Sequence, residues 1–157
     1  MTSELRRRLQ LAREKTEKQR IEQQLTASGL HPRFGTSALP SWIGEERSRF
    51  YDSATRPDSS TPLASPDKLG RWIEEIAMEQ GVTEAVTLAT GLENFPWIDL
   101  HLAGSGWASS LIEAVGRNLT IYSAAKGILL VFFADEYEYL AFMASAAPGG
   151  DDTGERI

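Results

Sequence analysis

Apolar positions in the first quarter of the chain recur at helical spacing but form only a thin stripe. Leu5, Leu9 and Ala12, then Ile21 and Leu25, fall three to four residues apart or in phase with that spacing, separated by long charged side chains. The spacing predicts a helix over residues 3–28, with Gly29 as the left-handed residue that ends it and Pro32 blocking its resumption. So narrow a stripe buries little, and the helix is expected either to stay largely solvated or to serve as a partner-binding arm. Residues 31–52 mix aromatics with arginines at no clear period. Residues 53–66, rich in serine and proline, read as an extended linker. The best-marked element follows. Ser65 is a good N-cap, Pro66 suits the first helical position, and Leu69, Trp72, Ile73, Ile76 and Ala77 make one apolar face before Gly81.

Beyond Gly81 the period shifts mainly to two. Strands are predicted at 84–90 and at 97–102, where Ile98, Leu100 and Leu102 alternate with Trp97, Asp99 and His101. An amphipathic helix at 107–115 precedes three strands, 119–124, 128–134 (expected at the centre of the sheet) and 137–144, joined by short turns. The expected fold class is α+β: an N-terminal charged helix and linker, then a small αββαβββ domain with an antiparallel sheet and helices on one face. The corresponding divisions are a helical arm at 1–52, a linker at 53–66, an acidic domain at 67–145 and a tail at 146–157 that is disordered by composition.

Charge sharpens this division. The 157 residues carry a formal charge of −6, which hides an asymmetry. Residues 1–60 hold eleven Lys/Arg against eight Asp/Glu, whereas from Trp72 onward three basic residues face thirteen acidic ones. Arg6, Arg7, Arg8 and Arg13 form a net-positive cluster able to contact nucleic acid through the first helix. Asp135, Glu136 and Glu138, interleaved with Tyr137 and Tyr139, form an acidic turn suited to a basic protein partner. The absence of cysteine rules out a disulfide scaffold and any thiolate site. The longest apolar run, 127–134, falls far short of the about 20 residues a membrane helix needs, so no membrane partner is expected. With no export signal evident, a bacterial-type cytoplasm is the expected location.

Two constellations invite chemistry and fail on inspection. Asp99 and His101 share a strand face about 6.6 Å apart, too far for direct contact, and Ser105 follows without a nucleophile elbow. No third metal ligand accompanies them. They read better as an interaction face beside Trp97. The strand–AGSGWASS–helix stretch has the layout of a phosphate loop, but Trp107 stands where the lysine is required and Ala108 where Ser/Thr belongs. No catalytic residue, cofactor site or metal site is therefore assigned, and no cofactor is expected.

Residues 14–42, with Arg20, Ser28, Gly29, Leu30, Pro32, Arg33, Phe34 and, loosely, Trp42, resemble the segment that precedes the ATPase core in bacterial and phage helicase loaders of the DnaC type. The resemblance covers under a fifth of the chain, and no ATPase core follows it. It implies a protein that contacts a replicative helicase, with Pro32, Arg33 and Phe34 as contact residues, and that lacks ATP-driven loading. The expected function is thus a non-enzymatic binding or regulatory protein, a DNA-replication accessory factor of a plasmid or phage. The alternative is an acidic inhibitor of a basic nuclease-like partner, as an immunity or anti-restriction protein would be.

Overall fold

The computed structural model describes residues 2–35, 39–52 and 54–145. In chain order the elements are α1 (Ser3–Ala27), β1 (Arg33–Phe34), α2 (Trp42–Phe50), β2 (Ser59–Pro62), α3 (Pro66–Glu79), β3 (Ala85–Ala89), β4 (Trp97–His101), α4 (Trp107–Val115), β5 (Leu119–Ser123), β6 (Ile128–Ala134) and β7 (Glu138–Ser145). The fold is mixed α+β. The strands form one antiparallel sheet in the order β1-β4-β3-β5-β6-β7-β2. Its middle strand is β5, buried along its whole length, and not the 128–134 strand expected there.

Strand parity divides the core in two. One face presents Val86, Leu88, Ile98, Leu100, Leu119, Ile121, Leu130, Phe132 and Tyr139 to the apolar sides of α1, α3 and α4. The other presents Tyr122, Leu129, Val131 and Phe142 to Ile43 and Phe50 of α2. Stacked rings bind that second layer, Phe50 on Phe142 at 5.0 Å and Phe142 on Phe133 at 5.3 Å. A helix of nine residues spans only about 13 Å, so α2 covers β5–β7 and reaches Trp97 of β4. Among the described residues the face around Arg33, Thr87 and Asp99 stays open.

Local signals explain the helix ends. Ser65 Oγ accepts from Lys68 N–H at 3.4 Å and Pro66 opens α3. At the end of α1 the N–H of Leu30 donates to the Leu25 carbonyl at 3.1 Å and that of Gly29 to Thr26 at 3.0 Å, a Schellman closure that places Gly29 at φ 80°.

The expected arm and linker are woven into the sheet. Ile21, Leu25 and Leu30 are fully buried, each burial stabilising by about 1.5–3 kcal/mol. Polar anchors add to them. Glu14 accepts from the N–H groups of Asn94 (2.8 Å) and Glu93 (3.0 Å), from the Asn94 amide and from Gln10. Arg20 donates to the Ala114 carbonyl at 2.6 Å. Within the segment expected as a linker, residues 59–62 pair with β7 from Ser59↔Ala141 to Pro62↔Glu138. An edge strand tolerates serine and proline because one side of its ladder faces solvent. The tail at 146–157 lies outside the described residues. Among those described, no helix is long and apolar enough to cross a membrane.

Candidate functional site

The residues singled out from sequence fall on three separate surfaces. The first is the N-terminal half of α1. Every residue from Thr2 to Gln10 is exposed, and Arg6, Arg7, Arg8 and Arg13 lie there with Leu5 (45% exposed) and Leu9 (43%) one turn apart. Arg8 pairs with Glu4 at 3.5 Å on the same surface. Gln10 Nε2 donates to Glu93 Oε1 at 2.9 Å, Glu14 and Arg20 fasten the following turns, and Arg6 and Arg7 line a groove with Glu93 and Asn94.

The second surface is the hairpin between β6 and β7. Asp135, Glu136, Tyr137 and Glu138 are exposed at its tip, with Tyr137 77% exposed, and Asp135 N–H closes the turn on the Glu138 carbonyl at 2.8 Å. Tyr139, expected among these contact residues, is fully buried. Strand alternation turns it inward, its hydroxyl donates to the Arg117 carbonyl at 2.6 Å, and burial pushes its ionisation well above the usual tyrosine range.

The third surface is a cleft of about 450 Å³ on the part of the sheet that α2 leaves open. Register builds it. Tyr122 of β5 stands opposite Thr87 of β3, Thr87 opposite Asp99 of β4, and Asp99 opposite Arg33 of β1, so one polar row crosses four adjacent strands. Thr87 Oγ1 donates to Asp99 Oδ1 at 2.7 Å and orients that carboxylate. His101 lies one strand position further along the same face, and its ring meets that of His31 edge-on with centroids 6.3 Å apart. His31 takes a left-handed backbone conformation (φ 47°) that carries the chain from α1 into β1, while His101 N–H donates to the Leu30 carbonyl at 2.9 Å. The small side chains of Ala85, Ala124 and Ala125 leave the space, and Leu39 and Pro40 line it from the side of α2.

The remaining sequence candidates serve the scaffold. Phe34 is half-buried against Phe95, with Lys18 Nζ over both rings at 5.2 and 5.1 Å, and Pro32 is half-buried beside it. Leu30 is in the core, so the turn that resembles the helicase-loader segment here docks α1 onto the sheet. Trp97 is half-buried in the layer under α2. Ser105 lines a separate groove with Arg71 and Glu74, away from the Asp99–His101 cleft, so these three residues do not converge as a hydrolytic set.

The loop shaped like a phosphate cradle carries its own anion. Glu74 of α3 accepts from Gly106 N–H at 2.9 Å and Ala108 N–H at 3.0 Å with the same oxygen, filling the start of α4 where a phosphate would sit. Among the described residues no group of three or more His, Asp or Glu side chains is arranged to hold a metal ion.

His31, Thr87 and Tyr122 were not singled out from the sequence. Tyr122 could have been, because it shares the outward parity of Thr120 against Leu119 and Ile121. His31 had no local signal, since it reaches the site through a pairing about seventy residues distant. No family model, no curated protein and no solved structure matches the chain.

Proposed function

We propose that the chain is a non-enzymatic binding and regulatory protein of a bacterial-type cytoplasm, acting on a protein partner through the exposed N-terminal half of α1. The observation that carries this reading is the pair of water-exposed leucines, Leu5 and Leu9, set among four arginines on a helix hydrogen-bonded to the body at Gln10 and Glu14. Such a helix fits an acidic surface with an apolar groove, Leu5 and Leu9 filling the groove and the arginines meeting carboxylates at its rim. The partner we infer is a replicative helicase, as for an accessory factor of DNA replication on a plasmid or phage. The resemblance of residues 14–42 to helicase loaders supports that choice. Nucleic acid is the competing ligand for the same arginines. Purified replicative helicase should be retained by the immobilised full chain and lost with Leu5→Asp/Leu9→Asp, which leaves every arginine in place. Retention undiminished by that double substitution would refute the reading, as would retention of DNA in place of the helicase.

The β6–β7 hairpin favours a second reading. Tyr137 stands exposed among three carboxylates, the composition of an anchor for a basic surface. An immunity or anti-restriction inhibitor of a nuclease would use it so. Binding of that kind weakens steeply as salt rises, and an affinity unchanged between low and high salt counts against it.

A further inference from the structure

The cleft on the open part of the sheet holds several polar groups with no partner among the described residues. Tyr122 is only 7% exposed, and its ring is fixed edge-on against Trp42 at 6.0 Å. Among the described residues its hydroxyl makes no hydrogen bond, and the residue lines the cleft. Arg33 and Asp99 stand directly opposite on paired strands, the arrangement in which opposite charges normally meet. They form no ion pair within 4 Å. Asp99 is instead turned to Thr87, which uses one of its oxygens, and the exposed Arg33 lines the cleft with no hydrogen bond or ion pair among the described residues. The rings of His31 and His101 line the same space.

We propose that this cleft binds a small carboxylic acid bearing an amino or hydroxyl group next to its carboxylate. The fork of Arg33 matches a carboxylate bidentately, and the His31 and His101 rings add donors beside it. The second oxygen of Asp99 accepts from the ligand's amino or hydroxyl group, which explains why the charges of Arg33 and Asp99 are held apart. The Tyr122 hydroxyl gains the hydrogen bond that the described residues do not supply. Leu39, Pro40 and the three alanines take the ligand's apolar part, and the volume is that of an ordinary small-molecule site. A free phosphate fits less well, because Asp99 in the middle of the row repels a doubly charged anion. This site is independent of the partner surface on α1.

The test is titration of the full chain with a panel of α-amino and α-hydroxy carboxylic acids, each beside its methyl ester, with inorganic phosphate as a further probe. Amide chemical shifts report location and calorimetry reports affinity. At least one acid should saturate shifts at Arg33, Thr87, Asp99, His101 and Tyr122, and its ester should bind about tenfold or more weakly. Arg33→Gln should cost about tenfold and Tyr122→Phe several-fold, with unliganded thermal midpoints near that of the parent because neither group has a hydrogen bond to lose among the described residues. The proposal is overturned if no acid perturbs the cleft, if esters or phosphate bind as well as the acids, or if both variants keep the parent affinity.

Discussion

Gly70 lies inside α3, where alanine would ordinarily be preferred by about 0.8–1.0 kcal/mol. Here the structure reverses the sign. A Cβ on Gly70 would stand 2.8 Å from the backbone nitrogen of Ser109 and 3.1 and 3.2 Å from its Cβ and Cα, whereas ordinary contact begins at 3.4 Å. The obstruction is mainly the backbone of α4, not the end of a flexible side chain, so the two helices must move apart by roughly half an ångström. Overpacking of that kind costs about 1–3 kcal/mol. Set against the propensity gain, Gly70→Ala should destabilise by about 1 kcal/mol, near 2–4 °C in thermal midpoint for a chain of this size. Gly44 in α2 is the internal control, since nothing lies within 4 Å of the position its Cβ would take. Gly44→Ala should therefore stabilise by about 0.5–1 kcal/mol. Urea unfolding of both variants, compared by midpoint at constant m-value, reads the contrast directly. A Gly70→Ala midpoint raised as far as that of Gly44→Ala would refute the close α3–α4 contact.

Further outcomes follow from the polar anchors. The Asn94 backbone N–H, with Gln10, Glu93 and the Asn94 amide, holds the Glu14 carboxyl at about 2 against its ordinary 4.5, over the opposing effect of desolvation. Its contribution is therefore complete above about 4.5 and is lost as pH falls through about 2. Hydrogen exchange in α1 should accordingly be faster in Glu14→Gln than in the parent at neutral pH, and the difference should vanish at strongly acid pH; equal rates at neutrality would deny Glu14 an anchoring role. Glu74→Ala should lower stability by about 1 kcal/mol and fray the first turn of α4, seen as faster exchange at Ala108. Tyr139→Phe should cost about 1 kcal/mol by removing the hydrogen bond from its hydroxyl to the Arg117 carbonyl. In the parent the Tyr139 phenol should resist ionisation beyond the range of the exposed Tyr137, checked by ultraviolet titration.

What the sequence made legible were elements whose signals are local. The Ser65–Pro66 start of α3, the Gly29 closure of α1 and the alternation through β4–β7 each depend on residues close together in the chain. What escaped depends on partners far away. The docking of α1 uses Ile21 and Leu25 but also Glu14, Lys18 and Arg20, which in isolation look like ordinary solvated charges. β1 and β2 are too short to show a period and exist because β4 and β7 offer them open ladders. The same holds for the cleft. Asp99 and His101 were visible on one strand face, but the groups that complete it come from β1, β3, β5 and the turn at His31.

Both outer strands of the sheet, β1 and β2, come from the first 62 residues, while the five strands between them are contributed later. A ribosome therefore delivers the two borders before the interior they enclose. The neighbour of β1 appears only at residues 97–101 and that of β2 only at 138–145, and every interior strand emerges after both borders. Folding of this chain is consequently expected to await its C-terminal third and then to proceed slowly, because the bordering contacts join distant residues. In return, β4 and β7 each find an outer partner already made, so neither is left with a bare outer edge once the sheet forms.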